Sequence, residues 1–303
     1  ATNMPPHNLA EVVEGIIRVI DEPDVSIGEL MHIIKAPDFP TGGIISGYEG
    51  IKRAYETGRG SIRLRAKVDI EQTAKRERII VKEIPYQVNK SKLIEEIAEY
   101  VRRYKVDSIT GLRDESDRRG MRIVITLRTG ANAPIILNKL FKHTQLETTF
   151  GVINLALVDG EPRVLTLKEL IECYIKHRKE VTIRRLHYEL ERAEKRIHIL
   201  EGLIIAISHI DEVIKLIKAS SDSKTAQSAL IERFELSEAQ AKEILDMRLS
   251  RLSALERDKI ETERAELERK IAWLKDVLGS EARIFGVIKE ELIEPVSYTH
   301  LRA

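Results

Sequence analysis

The chain has 303 residues, room for about two domains or for one domain with an elongated appendage. Hydrophobic residues make up 43% and aromatics only 5%, so aliphatic side chains must build the core, while charged residues reach 33%, above the roughly one quarter usual in globular chains. The 50 Lys and Arg nearly cancel the 49 Asp and Glu, so any grip on a polyanion has to come from local clustering that the total hides. Cys173 is the one cysteine, which excludes an intrachain disulfide and a cysteine metal cluster and fits a reducing, cytoplasmic setting. No apolar run approaches the about 20 residues of a membrane span, and no secretory signal is present. The opening ATNMPPHNL lacks an initiator Met and predicts a fragment of a longer chain.

Residues 1–150 read as α+β. Asn8 with Glu11 and Ser26 with Glu29 have capping-box spacing and predict helices near 9–20 and 27–35. KAPDFPTGG then breaks any helix, and a short helix follows near 48–56. In GRGSIRLRAKVDI, Ile62, Leu64, Ala66 and Val68 alternate with Ser61, Arg63, Arg65, Lys67 and Asp69, which predicts one half-buried strand, with RERIIVKEI as its partner. SKLIEEIAEYVRRYK predicts an amphipathic helix over 91–105, MRIVITL a strand over 121–127, and NAPIILNKLFKH another short helix.

From residue 151 the pattern changes. GVINLALV, the turn Asp159-Gly160 and PRVL predict a hairpin, and Thr166 with Glu169 opens a long helix. Leu186, Leu190, Ala193, Ile197, Leu200, Ile204 and Ile207 follow at alternating spacings of four and three, a heptad seam. Ile260, Leu267, Ile271, Leu274 and Leu278 form a second seam, with Arg264 in the remaining slot. Two matched seams about a helical stretch predict an antiparallel coiled-coil hairpin, each arm about 33 Å long. Residues 208–255 become its globular tip. There Ser237 and Gln240 cap the helix that carries a broad apolar stripe, Ile244, Leu245, Met247, Leu249 and Leu252. A tip that small buries only a modest core of its own, so the stripe reads either as that core or, as predicted here, as a contact with a second copy.

Arg63, Arg65 and Lys67 lie on one strand face at about 6.6 Å intervals, a spacing comparable to that of successive phosphates, and Arg59, of the same parity, extends the row if the strand reaches it. They read either as a solvated outer face or as a DNA-backbone support. Gly42-Gly43 could let backbone approach a phosphate, although a plain turn is the simpler reading, and no GxxxxGK[ST] motif follows. His7, His143 and His177 stand apart, without metal-ligand spacing. Asp114, Glu115 and Asp117 interleave with Arg113, Arg118 and Arg119 and read as a self-neutralising loop.

Seven strings occur in one order: MPPHNLAEVVEGI (4–16), APDFPTGGII (36–45), YETGRGSIRLRA (55–66), IPYQVNKSKLIEEIAE (84–99), GLRDESDRRGMRIVI (111–125), LFKHTQLETTFGVINLALVDGEPRVL (140–165) and ILDMRLSRLSALE (244–256). Together they resemble the breakage-reunion (A) subunit family of bacterial-type type IIA topoisomerases, over roughly residues 1–293 and nearer its gyrase branch than topoisomerase IV. The resemblance implies an α+β tower domain over 1–165 that supports bent duplex DNA. It implies coiled-coil arms over 166–207 and 256–293, and a tip over 208–255 that dimerises as an exit gate. The partners it implies are double-stranded DNA, a second copy and, in an A2B2 complex, an ATPase B subunit through which ATP and Mg2+ enter. No cofactor or metal is expected on this chain, and the setting is cytoplasmic, at the nucleoid. The family's catalytic tyrosine lies in a winged-helix setting that none of the eight tyrosines here shares, and the C-terminal wrapping repeats are missing too. No catalytic residue is therefore assigned, and the fragment alone is expected to be inactive. The alternatives are a non-catalytic coiled-coil dimeriser and a topoisomerase IV A subunit. PVSYTHLRA departs from the family pattern. Pro295 is expected to end the helix there, and 294–303 is read as an atypical tail, foreign or mis-sequenced, with no function.

Overall fold

The structure, a computed structural model, describes residues 3–72, 76–247 and 254–299. Two compact units divide it, Ala1–Ile175 with Ile293–Ala303, and Lys176–Leu292.

The first unit is α+β. Helices α1 (Leu9–Asp21) and α2 (Ile27–Ile33) begin where the sequence puts them. Ser26 and Glu29 cap each other reciprocally, whereas Asn8 accepts from Ala10 and Glu11 N–H as a simple cap. After β1 (Ile44–Ser46) and α3 (Glu49–Thr57), the expected single strand proves to be two, β2 (Arg59–Arg65) and β3 (Lys67–Gln72). The break is Ala66, buried, whose N–H donates to Leu146 O at 2.8 Å. That bond draws the chain out of one sheet and starts it in another. RERIIVKEI supplies β4 (Glu77–Glu83), which pairs with β3 and not with β2.

Strand β3 enters an antiparallel sheet of order β3-β4-β6-β5, with β5 (Ile109–Asp114) and β6 (Ile123–Leu127). Local pattern does not foretell β5, because ITGLRD lacks clean alternation and is strand only through its pairing with β6. Ile79, Val81, Ile123, Ile125 and Leu127 bury one face against Leu93 and Ile97 of α4 (Lys90–Arg103) and Ile136 and Leu140 of α5 (Ala133–His143). At the rim, Lys90 pairs with Asp114 at 2.7 Å, and Ser116 adds its hydroxyl and its N–H to the same carboxylate. These bonds hold the Asp114 carboxyl down to about 2. Arg122 binds Glu71 through two nitrogens at 3.2 and 3.1 Å and reaches Glu115 at 3.4 Å, so the RDESDRRG acids are neutralised locally.

The other sheet has order β1-β2-β7, with β7 (Glu147–Ile153) leading to a hairpin of β8 (Leu155–Val158) and β9 (Glu161–Val164) about Asp159-Gly160. The PDFPTGG loop is anchored beside it. Buried Phe39 meets Phe150 edge-on at 5.5 Å, and Gly43 N–H donates to Glu83 at 2.6 Å. Gly42 and Gly43 have φ of 69° and 94°, and a Cβ on Gly42 would collide with the Glu83 carboxylate. The double glycine thus closes on the chain's own carboxylate.

The segment preceding α1 is pinned by His7, whose Nδ1 donates to Pro5 O at 2.9 Å and whose Nε2 accepts from the Tyr55 hydroxyl at 2.8 Å. Burial lowers the His7 pKa below its ordinary 6.5, outweighing the Pro5 bond and the nearby Glu11 and Asp38 charges that raise it. Folding therefore favours neutral His7. As pH falls through 6.5 the unfolded chain takes up a proton sooner, and stability drops. In urea titrations between pH 7.5 and 5, His7→Gln is expected to flatten part of this loss. An identical pH slope in both proteins would show that His7 does not carry it.

The second unit is helical. Helix α6 (Leu167–Ser208) opens with the reciprocal Thr166–Glu169 cap and continues from the first unit into the second. Helix α10 (Ala254–Leu278) runs antiparallel to it. Arg196 binds Glu263 at 2.7 and 2.9 Å, Glu189 meets Lys270 at 3.0 Å, and Lys179 meets Glu281 of α11 (Glu281–Thr299), so partner numbers fall as α6 numbers rise. The seam is real but shifts. Leu186, Ala193 and Leu200 are buried as the heptads require, with Leu190 and Ile197 half-buried between them; beyond Leu200, Leu203 and Ala206 are buried, while Ile207, the next in the Leu186 series, is only half so. In α10 likewise Val277, and not Leu278, is buried beside Leu274 and Ile260. A 3.6-residue helix drifts about 20° per heptad against a 3.5 repeat, and past Leu200 the packing partners of α6 become the tip helices. Pro295 lies inside α11, contrary to expectation. Proline removes one N–H and crowds the carbonyl four residues back, a local defect that the adjoining turns carry the helix across.

Candidate nucleic-acid interface

Side chains on directly paired residues share a face of the sheet, so the register of β1, β2 and β7 builds the candidate site. Arg59 lies across from Ile153, Ser61 from Gly151, Arg63 from Thr149 and Arg65 from Glu147, while β1 sets Ile44 beside Arg65 and Ser46 beside Arg63. The opposite face carries Ile62, Leu64, Phe150 and Val152, all buried. That burial fixes which way the arginines point, since a one-residue slip would put guanidiniums into the core. What remains outside is an open surface of three guanidiniums, three hydroxyls, a bare glycine, the Glu147 carboxylate and two exposed isoleucines, Ile44 and Ile153. Arginines and hydroxyls are the groups that bind phosphate oxygens and position a duplex without reading its sequence.

Two cations are held from below by one anion. Glu147 bonds Arg65 Nε and stands 3.7 Å from Arg63 Nε, and Arg65 also lies over the Phe141 ring at 5.3 Å. Lys67 does not belong to this face. It starts β3 in the four-stranded sheet and pairs with Glu83 at 3.1 Å. The Glu83 carboxyl is held below its usual range, chiefly by the Gly43 N–H and further by Lys67. Of the four expected DNA-facing cations, the structure brings together Arg59, Arg63 and Arg65. Ser46, Glu147 and Thr149 were missed. The alternation in ETTFGVI, with Phe150 and Val152 inward, was a readable signal for the last two; Ser46 had none.

The apolar stripe of the tip divides. Helices α7 (Ile210–Ala219), α8 (Ser223–Phe234) and α9 (Glu238–Leu245) close a core around Leu200, Leu203, Val213, Leu230 and Ile260. Ile244 is 3% exposed inside that core, so its side chain is committed within the chain's own lobe. Leu245 and Met247 are half-buried against the same core. Leu249 and Leu252 lie outside the described residues. The start of α9 is riveted to α6. Gln240, 6% exposed, donates to His198 O at 2.6 Å and accepts from Ser237 N–H at 2.9 Å, and His198 Nε2 lies 2.7 Å from the Ser237 hydroxyl. Gly202 makes room for this, since a Cβ there would sit 2.7 Å from the Gln240 side chain.

Tyr55 is buried, which pushes its hydroxyl well above the ordinary range and keeps it protonated. His143 stacks on Tyr100 at 5.2 Å. Among the described residues no three His, Cys, Asp or Glu side chains gather as metal ligands, and no helix is long and apolar enough to cross a membrane.

A family model for the DNA gyrase/topoisomerase IV A subunit matches residues 1–293. The chain belongs to this family. It is 57% identical to the DNA gyrase A subunit of Halalkalibacterium halodurans over 97% of its own length and 35% of that protein's. The corresponding proteins of Clostridium acetobutylicum and Staphylococcus aureus are 54% and 52% identical, each over 97% of this chain and 36% and 33% of their own lengths. This member of the gyrase/topoisomerase IV A-subunit family thus spans about a third of the relatives it matches.

Proposed function

We propose that this chain is the duplex-supporting and gate-forming part of a DNA gyrase-like A subunit, with a role in ATP-dependent passage of one duplex through another. The observation that carries the reading is the outward face of the three-stranded sheet, where Arg59, Arg63 and Arg65 lie beside Ser46, Ser61 and Thr149, groups that hold phosphate oxygens without reading bases. Kinship favours gyrase over topoisomerase IV, since the relatives named above are all gyrase A subunits. Double-stranded DNA, a second copy of the chain and an ATPase B subunit that brings ATP and Mg2+ are the proposed partners, at the nucleoid. No residue of this chain is proposed as the nucleophile. Duplex binding that weakens with salt and with loss of Arg63 and Arg65 tests the platform.

For the gate, the proposal passes to the stripe's less buried members, Leu245 and Met247, and to Leu249 and Leu252 beyond them, with Ile244 left out because it serves the lobe's own core. Leu249→Glu is expected to turn a dimer into a monomer by light scattering while leaving the circular dichroism of the helices unchanged. A dimer that persists would place the contact elsewhere.

A further inference from the structure

The DNA-facing arginines do not stand free, and their shared partner bears on how tightly DNA is held. Glu147 lies directly across from Arg65 and serves both Arg65 and Arg63. Its side chain is 20% exposed, against 59% and 40% for the two arginines, so the carboxylate sits beneath the guanidiniums that a phosphate would approach. Arg65 uses its Nε edge for Glu147, leaving its paired Nη groups for a second anion. Resting on the platform reading above, we propose that Glu147 is a built-in competitor for DNA phosphate that sets the affinity and salt sensitivity of the platform.

The sign follows from what else holds the arginines. If Glu147 were the sole device orienting them, its loss would disorder the site and weaken binding. Arg65 has a second support, the Phe141 ring beneath it, and both arginines spring from a strand whose inward side chains, Ile62 and Leu64, are buried. Ordering therefore survives without the carboxylate, and what remains of its influence is charge. A phosphate docking on Arg63 or Arg65 must share each guanidinium with a resident anion and accept repulsion from it. A duplex support needs this if it is to release DNA as well as hold it. Lys67 gives a contrast: its partner Glu83 is occupied by the Gly43 N–H, so that carboxylate belongs to the loop and lies in the other sheet.

The test is Glu147→Gln, which keeps size and hydrogen-bonding capacity on an exposed strand face and removes one charge. Binding of a fluorescent 30-base-pair duplex of mixed sequence is measured by anisotropy across a salt series, beside Arg63→Gln and Arg65→Gln. Glu147→Gln is expected to tighten binding about two- to threefold near 0.1 M salt, the effect of removing a charge some 6–8 Å from phosphate at a near-aqueous dielectric. The logarithmic salt dependence should steepen by up to about 0.9, one further phosphate neutralised. Weaker or unchanged binding in Glu147→Gln, with both arginine variants impaired, would overturn the competitor role and leave the platform standing. Arginine variants that bind as the parent does would overturn the platform itself, and the competitor with it.

Discussion

Arg63→Glu combined with Arg65→Glu is expected to lower affinity for a short duplex about 100-fold near 0.1 M salt, and to flatten the logarithmic salt dependence by about 1.8. The figure comes from counterion release, since each lost phosphate contact removes a slope of about 0.9 and so roughly an eightfold factor at that salt. The two new carboxylates beside Glu147 then add repulsion. The double substitution leaves the inward residues Ile62 and Leu64 untouched, so the fold is retained at a cost of at most about 1 kcal/mol per like-charge pair across the strands. Arg119→Glu provides the comparison. Its side chain is 94% exposed on the turn after β5, outside the three-stranded sheet, and its reversal changes the charge by two where the double variant changes it by four. If its reversal weakened binding as much as the double variant does, long-range charge and not this face would be responsible.

The second large effect concerns the junction of arm and tip. Leu203→Ala is expected to destabilise the chain by about 3 kcal/mol and Ile207→Ala by about 1, read from urea midpoints at constant slope. A strict heptad makes the opposite forecast, because Leu203 then falls off the seam and Ile207 on it. In the structure Leu203 is buried among Leu200, Val213, Leu230 and Ile260, while Ile207 only borders that cluster. Truncating Leu203 leaves a cavity between helices that are held on several sides, which limits collapse. Equal losses from the two changes would mean that the shift of the seam beyond Leu200 is not what organises the tip.

Much of the local structure was written in the chain. The Ser26–Glu29, Thr166–Glu169 and Ser237–Gln240 boxes each open a helix, because a cap needs only residues three apart. The period of Ile62-Leu64 against Arg63-Arg65 fixed which side of β2 is wet, since side chains alternate along any strand. The paired seams foretold an antiparallel hairpin, and the ion pairs from α6 to α10 bear it out.

Tertiary structure decided what no window of neighbouring residues contains. Alternation continues through Ala66 without a flaw, yet the chain changes sheet there because Leu146 O takes the Ala66 N–H from 80 residues away, and Lys67 leaves the arginines' company. Glu147 finds Arg63 and Arg65 only when β7 pairs with β2. Ile244 turns inward because α6, α7 and α8 converge on it. Periodicity tells a side chain whether it faces solvent or core; which charge it meets there depends on segments that chain closure brings from far along the sequence.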